Sequence, residues 1–348
     1  MKNSILFTYI ILLTSCSGLY RFTIEVQEPA QVTLPPDIVD VLVVNNSAPQ
    51  PGNMGVNRMY MGTEIRGMEL NLDSVASLAA AALAAGLKES RFFDRILFSS
   101  VSMRNDKRWM EREPLTETFR AETFGKQGVD GIVSIDRLMI KFDQEVRNNF
   151  YMNLVIQSIT TCTVYIYDRE TPLTTFSVTD SLLYSSPVLG DTVDIFKNFP
   201  EYIIEDLACT VGERLSRRIV PSWIEKERFL YAGSQSRMAE ALSFARRGKW
   251  NHASNLWQNE YVQASSSKSK GKTAANLAAA YEMLDQLDAA LQWATAAQNH
   301  FGEAGLPDAS AEKIRINAYV NDLHKRIRDN SLLDIQWGVR KDPSGNPF

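Results

Sequence analysis

Small residues recur at a fixed distance in the last third of the chain, and this recurrence restricts the region to packed helices. At an offset of 37 residues the chain aligns with itself, placing Ala241, Phe244, Gly248, Ala253 and Trp257 opposite Ala278, Tyr281, Asp285, Ala290 and Ala294. Small side chains let antiparallel helices approach closely, and an aromatic side chain fills the gap that remains. We therefore expect helices from Ser236 onward.

The spacing within each copy is similar to that of the tetratricopeptide repeat, a unit of about 34 residues. Ala278, Tyr281, Ala290 and Ala297 match its small and aromatic positions, and the Ser- and Lys-rich stretch 264–272 takes up the extra length. An unrelated pair of helical hairpins is the alternative interpretation. A third helix over residues 308–328 would cap the stack.

This resemblance also implies a binding face. In tetratricopeptide proteins the first helix of each repeat lines a concave groove that takes a protein or peptide partner. By position, the candidate groove residues are Gln235, Met238, Leu242, Arg246, Lys272, Ala275, Ala279, Glu282 and Met283.

Ahead of the repeat, strand and helix patterns alternate. The expected elements are a strand at 38–44, a helix at 73–88 capped by Asp73 or Asn71, a strand at 95–101, a helix from Thr116 to about Gly125–Gly128 and a strand at 130–135. This order favours right-handed crossovers and a parallel sheet. The Pro-, Gly- and Asn-rich stretch 48–67 is expected to be a long loop, either functional or mobile.

The pattern changes after Lys141. Residues 150–168 and 173–184 alternate or run apolar around a turn at Arg169–Pro172, which predicts a long antiparallel hairpin added to the sheet. A closing helix should begin near Pro200 and end before Pro221.

Residues 36–225 resemble small α/β domains of envelope proteins. The residues that carry the likeness are Ile38–Asn46, Gly128–Val133 and Arg217–Trp223. Similar domains occur in the curli-secretion lipoprotein family, in the N-terminal domain of the TolB family and in lipoprotein activators of cell-wall synthases. The whole layout is similar to a group of uncharacterised Bacteroidota lipoproteins, and this resemblance implies no biochemical activity.

The predicted fold class is therefore α/β, a mixed sheet with an added antiparallel hairpin, followed by an all-α tetratricopeptide-like repeat. The predicted divisions are a signal peptide at 1–15, a tether at 16–36, an α/β domain at 37–225, a helical domain at 226–330 and a tail at 331–348.

The N-terminus has the pattern of a bacterial lipoprotein signal. Lys2 precedes an apolar run at 5–13, and Leu13-Thr14-Ser15-Cys16 resembles the lipobox of signal-peptidase-II substrates. That resemblance implies acylation of Cys16, with more than one acyl chain giving a stable membrane anchor. A plain secretory signal or a transmembrane anchor is the alternative. No acidic signal follows Cys16, so we expect an outer-membrane anchor facing the periplasm.

Cys162 and Cys209 remain once Cys16 is lipidated, and they could form a disulfide or stay as two buried thiols. The net charge of −4 gives no electrostatic footprint for a nucleic-acid partner. His252, His300 and His324 lie at no metal-ligand spacing, and the sequence has no nucleophile elbow, phosphate-binding loop or dinucleotide glycine pattern.

We therefore expect no catalysis, no cofactor and no metal. The first functional hypothesis is a lipid-anchored envelope adaptor that binds a protein or peptide partner through the helical repeat, the α/β domain or both. An oligomeric component of an envelope assembly or secretion system is the second. A hydrolase or other enzyme is the third.

Overall fold

The computed structural model describes residues 18–65, 69–72, 74–148, 151–187, 202–233 and 236–338. These residues form two compact units. The α/β unit contains 27–222 and 332–338, and the helical unit contains 18–26 and 223–331. The predicted signal peptide, Cys16, Asp73 and Gln235 lie outside the described residues.

Three parallel strands start the sheet of the α/β unit. They are β2 (Asp40–Asn45), β5 (Arg95–Phe98) and the first part of β6 (Gly131–Asn148). β2 lies between the other two, with Val41 opposite Ile96 and Gly131. The predicted parallel order is confirmed.

The antiparallel extension is also confirmed, and it is longer than expected. β6 continues past Lys141 as one strand and pairs with β7 (Tyr151–Ile166), which pairs in turn with β8 (Thr174–Pro187). β3 (Val56–Tyr60) runs parallel to the second half of β6, and β4 (Thr63–Glu64) pairs with β3. The prediction of a loop throughout 48–67 is therefore wrong, because β6 is long enough to offer β3 a free edge.

The described part of the α/β unit also contains the helices α1 (Val75–Glu89), α2 (Glu117–Gln127) and α3 (Tyr202–Ile219). The hydroxyl of Thr116 accepts the N–H of Phe119 at 3.3 Å, and Gly128 ends α2 in the left-handed conformation with φ 62°. Both ends of α2 follow the prediction from sequence, since a Thr cap and a C-terminal glycine satisfy the free backbone groups of a helix.

α1 and α3 pack closely because small residues meet at their contact. A Cβ atom placed on Gly212 would lie 2.5 Å from Cβ of Ala82 and 2.6 Å from the backbone N of Leu83. Ala79, Leu83 and Ala208 beside it have no exposed surface. The backbones therefore approach to a distance that only glycine permits.

The helical unit holds the repeat. Its helices are α4 (Ser236–Arg246), α5 (Trp250–Gln263), α6 (Ser267–Met283), α7 (Leu287–Glu303) and α8 (Ala311–Trp337). Gly248 and Asp285, which the offset aligns, both have positive φ at 71° and 57° and occupy the same turn in their hairpins. The two hairpins therefore have equivalent turns.

The predicted tether is wrong for residues 19–28. They form β1 (Leu19–Glu28), which pairs with β9 (Ser222–Tyr231), also unexpected, in a two-stranded sheet. The N–H of Ala232 donates to the carbonyl of Gly18 at 2.7 Å. Tyr20, Phe22, Ile24 and Val26 alternate with polar residues, as a half-buried strand requires.

The predicted tail is also wrong up to residue 337. α8 continues to Trp337, and its last six residues belong to the α/β unit. Trp337 is buried there, packs on Phe92 and donates its Nε1–H to Gln27 at 3.1 Å. The amide of Gln336 exchanges two hydrogen bonds with the backbone of Ala30. These contacts bury the apolar surface of Trp337, which an extended tail would leave exposed to water.

Cys162 and Cys209 are free thiols, one buried and the other exposed. The disulfide alternative is therefore wrong, and the buried-thiol alternative holds only for Cys162. None of the helices in the described ranges is long and apolar enough to cross a membrane.

Candidate functional site

The candidate groove of the repeat is occupied by the chain itself. β1 and β9 lie against the first helices of the two hairpins. Asn276 of α6 accepts the N–H of Tyr231 at 2.7 Å and donates to its carbonyl at 2.9 Å. A side-chain amide thus replaces a neighbouring strand for this residue, which holds the end of β9 in the groove.

Several candidate groove residues touch this two-stranded ribbon. Lys272 lies 5.5 Å from the ring centre of Tyr231, and Arg246 lies 5.1 Å from that of Tyr20. Both are cation–π distances. Leu242 packs with the apolar cluster of Leu230, and Glu282 binds Arg228. These candidate groove residues therefore contact an extended segment of their own chain, and binding of a partner by this face stays a prediction.

This occupancy corrects the expected open groove. Met238, Ala275, Ala279 and Glu282 are buried within the helical unit and offer no surface to a partner. Leu242, Lys272 and Met283 are half-buried, and Arg246 is exposed. Gln235 lies outside the described residues. The physical reason is that two repeats bury too little apolar surface, and the ribbon supplies what further repeats would provide.

Glu282 lies at the centre of a buried ion network. It accepts Arg228 through Nε and Nη2 at 2.6 and 2.7 Å, Arg326 at 2.6 Å and the hydroxyl of Tyr319 at 2.6 Å. Arg228 also donates to Asp322 at 2.6 Å. A bidentate guanidinium–carboxylate pair is the strongest form of this interaction.

The network shifts the ionisation of its members. Burial alone lowers the pKa of Arg228, but the hydrogen bond and charge of Glu282 outweigh it and the pKa is raised. Burial, with the charge of Glu282 next, raises the pKa of Tyr319 well above its usual value. Both groups therefore keep the protonated form that Glu282 needs as donors.

A pocket of about 440 Å³ opens beside this network, between the ribbon and α8. Its lining is Leu19, Arg21, Lys226, Glu227, Arg228, Phe229, Arg315, Ala318, Tyr319 and Asp322. Most of its charged groups bind one another, as in the Arg21–Glu227 pair at 3.0 Å. Its polar chemistry thus serves mainly to join β9 to α8.

A second pocket, of about 420 Å³, lies at the carboxyl end of β2. Ligands of open α/β sheets bind at this edge. However, Asn45 accepts the N–H and hydroxyl of Ser47 at 3.0 and 2.7 Å, and Gln50 both accepts from and donates to the backbone of Ile140 at 2.8 Å. These side chains brace the loop after β2, which leaves them saturated.

Asp136 is a buried carboxylate that sequence reasoning missed. It sits at a β-bulge in β6 and accepts hydrogen bonds from Ser134 at 2.6 Å, from Thr163 and from Asn46 at 3.4 Å. Arg112 approaches it at 3.4 Å. Burial raises the pKa of Asp136, and these donors oppose the shift. A charged residue inside an apolar strand was the available signal, because bulges redirect such side chains.

No cluster of three His, Cys, Asp or Glu side chains in the described ranges could hold a metal ion. Tyr165, beside Asp136, accepts the N–H of Leu115 and so fixes the loop before α2. The arrangement positions loops and strands.

One face of the hairpin sheet is left uncovered by the described residues. α3 covers the inner face, where Arg214 binds the buried Asp180 at 2.6 Å and Tyr184 binds Asp206. On the outer face, Tyr151, Ile159 and Leu183 are 55%, 39% and 72% exposed. The other outward residues of β8 are Thr175, Ser177, Thr179, Ser181 and Ser185. In the described part of the sheet, β8 pairs with β7 alone.

Comparison with solved structures finds a likeness to PelC. The PelC dodecamer from Paraburkholderia phytofirmans is 9% identical, with a TM-score of 0.25, over 57% of this chain and 97% of the PelC chain. A variant of the same dodecamer gives a TM-score of 0.24 at the same identity and coverage. None of the curated proteins matches the chain.

Two family models match the sequence. The domain of unknown function DUF6340 matches residues 239–325, within the helical unit. The domain of unknown function DUF8603 matches residues 38–231, which is more than half of the chain. The chain therefore belongs to the DUF8603 family.

Proposed function

We propose that this protein is a non-catalytic, lipid-anchored adaptor of the cell envelope that binds an extended segment of a partner protein at β8. Lipidation at Cys16 follows from the lipobox-like Leu13-Thr14-Ser15-Cys16, and the layout is similar to Bacteroidota envelope lipoproteins. The anchor would face the periplasm from the outer membrane. Most charged groups of the first pocket bind one another, and Asn45 and Gln50 of the second brace its loop, which favours a binding role over catalysis.

The observation that carries this proposal is the edge of β8, which no strand of the described residues covers. Natural edge strands are kept from pairing by short length, charged side chains, prolines, bulges or a covering element. β8 has 14 residues, its single charged residue, Asp180, is buried and paired with Arg214, and its single proline, Pro187, is its last residue. Its outward residues are hydroxyl side chains and Leu183. Such a strand can accept another strand through main-chain hydrogen bonds.

The occupied groove favours the α/β unit as the docking element. A partner for the groove would have to displace β1 and β9, including the Asn276 clamp on Tyr231 and the Arg228–Glu282 pair. A partner at β8 displaces nothing that the described residues contain.

A second copy of the chain could also add a strand to the edge of β8. The second candidate function is therefore an oligomeric component of an envelope assembly or secretion system. The same unpaired strand supports it. The two candidates differ in mass, since a second copy makes the purified protein an oligomer without any other chain present.

Charges added to the outer face of β8 test the docking proposal. We expect Ser181→Lys with Leu183→Lys to abolish crosslinks to partner proteins in cells, because like charges and bulky ammonium groups on an edge prevent strand addition. Val262→Lys, at an exposed position of the helical unit, is the control and should leave the crosslinks unchanged. Unaltered crosslinking of the double variant would refute docking at β8.

Light scattering of the purified wild-type protein separates the candidates. A monomer that still yields crosslinks sensitive to the β8 charges supports the adaptor. An oligomer that the same charges dissociate supports the assembly component instead.

Lipidation is tested separately with Cys16→Ser. We expect this variant to lose incorporation of labelled fatty acid completely, because the thiol is the group that is acylated, while both units stay folded. Cys209→Ser, which removes the exposed thiol of α3, should retain full labelling. Label on the Cys16→Ser protein, or none on the wild type, would contradict the anchor.

A further inference from the structure

One edge of the helical unit collects the N-terminal ends of α4, α6 and α8. Successive helices of a repeat run antiparallel, so alternate helices point the same way. Contacts join the three ends directly. Thr273 of α6 lies 3.8 Å from the sulfur of Met238 in α4, and Lys268 of α6 lies 3.8 Å from Glu312 in α8.

Six basic side chains lie on this edge, in the first two turns of the three helices. We call them the basic edge: Arg237, Lys268, Lys270, Lys272, Lys313 and Arg315. The N-terminal ends of helices add partial positive charge at the same place.

The acidic residues of the edge neutralise only part of this charge. Glu312 pairs with Lys268 at 3.8 Å, and Asp308 pairs with Lys313 at 3.0 Å. Glu303 binds His300 at 2.8 Å, and this hydrogen bond, with a smaller effect of Lys270, lowers the pKa of the Glu303 carboxyl.

The other cations rest on neutral groups. Lys270 and Lys272 lie 5.9 and 5.5 Å from the rings of Tyr261 and Tyr231, and Arg315 lies 6.0 Å from the ring of Tyr231. Arg237 donates to the amide of Gln263. Within the described ranges no carboxylate forms a salt bridge with these four cations, so their charge is available to an external anion.

Apolar side chains project beside these cations. Val262, next to Gln263, is 80% exposed, and Ile314, between Lys313 and Arg315, is 57% exposed. Exposed apolar residues within a basic surface are typical of proteins that lie at a bilayer interface, where the cations meet headgroups and the apolar groups enter the acyl boundary.

Gly18, the first described residue, lies beside this edge. Gly18 is hydrogen-bonded to Ala232, and the preceding residue, Tyr231, carries the ring on which Lys272 and Arg315 rest. Two residues of extended chain span at most about 7 Å. A lipid on Cys16 would therefore hold the basic edge within one headgroup layer of the bilayer.

We propose that the basic edge binds the surface of an anionic phospholipid bilayer and fixes the orientation of the helical unit on it. This inference rests on the proposed lipidation of Cys16. The acyl chains attach the protein to the bilayer, and the cations of the basic edge bind the anionic headgroups. Because only one residue separates Cys16 from Gly18, the acyl chains and the basic edge would meet the same patch of the bilayer.

The test uses the full lipidated protein in nanodiscs of phosphatidylcholine, with or without one third phosphatidylglycerol. Amide hydrogen exchange is followed at 236–238, 267–268 and 311–312, the first residues of α4, α6 and α8. The first amides of a helix lack intrahelical partners, so their exchange reports on contact with the bilayer. We expect exchange at least tenfold slower in the anionic discs, and we expect 0.5 M salt to remove this protection.

The variant Lys268→Gln with Lys270→Gln and Lys272→Gln should lose the protection in anionic discs. A variant with three exposed lysines of the α/β unit changed, Lys88→Gln, Lys126→Gln and Lys141→Gln, has the same net charge and should keep it. Exchange in the middle of α6 and α7 verifies that the helical unit remains folded in both.

The outcomes separate this inference from the proposed anchor. Mass spectrometry that finds no acyl group on Cys16 refutes the anchor. Acylated protein whose edge exchanges equally fast in both kinds of disc refutes the basic edge as a lipid-binding surface and leaves the anchor intact. Equal loss of protection in both lysine variants would reduce the effect to net charge and would also overturn the proposal.

Discussion

Replacing Glu282 with glutamine should lower the free energy of unfolding of the helical unit by about 3 to 5 kcal/mol, the range observed when one partner of a buried ion pair is removed. Glu282 has a side chain that is 1% exposed, and those of its partners Arg228 and Arg326 are 6% and 20% exposed. Without the carboxylate, the buried guanidinium of Arg228 keeps only Asp322, and the half-buried guanidinium of Arg326 loses its partner. The cost is therefore mainly the desolvated charge that is left behind.

Urea-dependent hydrogen exchange of the α6 amides measures this change, because a chain with two units need not unfold in one transition. Glu240→Gln removes an exposed carboxylate from α4 and should change stability by less than about 0.5 kcal/mol. A Glu282→Gln effect as small as this control would show that the network contributes no stability.

Gly212→Ala should destabilise the α/β unit by about 2 kcal/mol, although alanine is the better helix former. Helix propensity alone would stabilise α3 by about 1 kcal/mol. The new Cβ would meet Cβ of Ala82 at 2.5 Å and the backbone N of Leu83 at 2.6 Å. Overpacking costs about 1 to 3 kcal/mol or more, and here the contact is with backbone that cannot rotate away. The steric cost of the new Cβ is therefore larger than the gain in helix propensity.

Gly125→Ala is the matched substitution, because a Cβ at Gly125 in α2 would meet nothing within 4 Å. Its expected effect is a stabilisation of about 0.5 kcal/mol. Thermal unfolding followed by near-ultraviolet circular dichroism measures both variants. If Gly212→Ala also stabilised the protein, α1 and α3 would be free to separate, and the close contact would not be needed.

The sequence predicted elements whose signals are local. The Thr116 cap, the left-handed Gly128 and the turn between the long strands each involve neighbouring residues, so α2 and the hairpin appear where expected. The 37-residue offset predicted the two helical hairpins for the same reason, because small residues at helical spacing are typical of closely packed helices. Equivalent left-handed residues at Gly248 and Asp285 show that it also located the turns.

Elements whose partners are distant in the chain were missed. The alternation of Tyr20, Phe22, Ile24 and Val26 was visible, but a strand needs a neighbour, and β9 lies about 200 residues away. β3 likewise exists because β6 is long. Residue type cannot specify such pairings, because strand propensity depends on the neighbouring strands.

For the candidate groove, the helix faces could be predicted from the sequence, but the segment that fills the groove could not. The repeat indicated which helix faces form a groove, and those faces do contact an extended segment. Nothing in the spacing showed that the segment comes from the same chain. Glu282 looked like a groove residue because its position is correct, while its burial depends on Arg228 in β9 and Arg326 in α8.

The pairing of β1 with β9 sets the order in which the protein can be completed. Arg21 and Glu227, which meet across the two strands, are 206 positions apart. Closing so long a loop is slow, and the groove that receives the ribbon does not exist until α4 and α6 have formed. A chain that is cut short, or that stalls before its repeat is made, leaves Tyr20 and Phe22 uncovered. Exposed apolar strands bind chaperones and promote aggregation. β1 is therefore covered only after the repeat has been synthesised and folded.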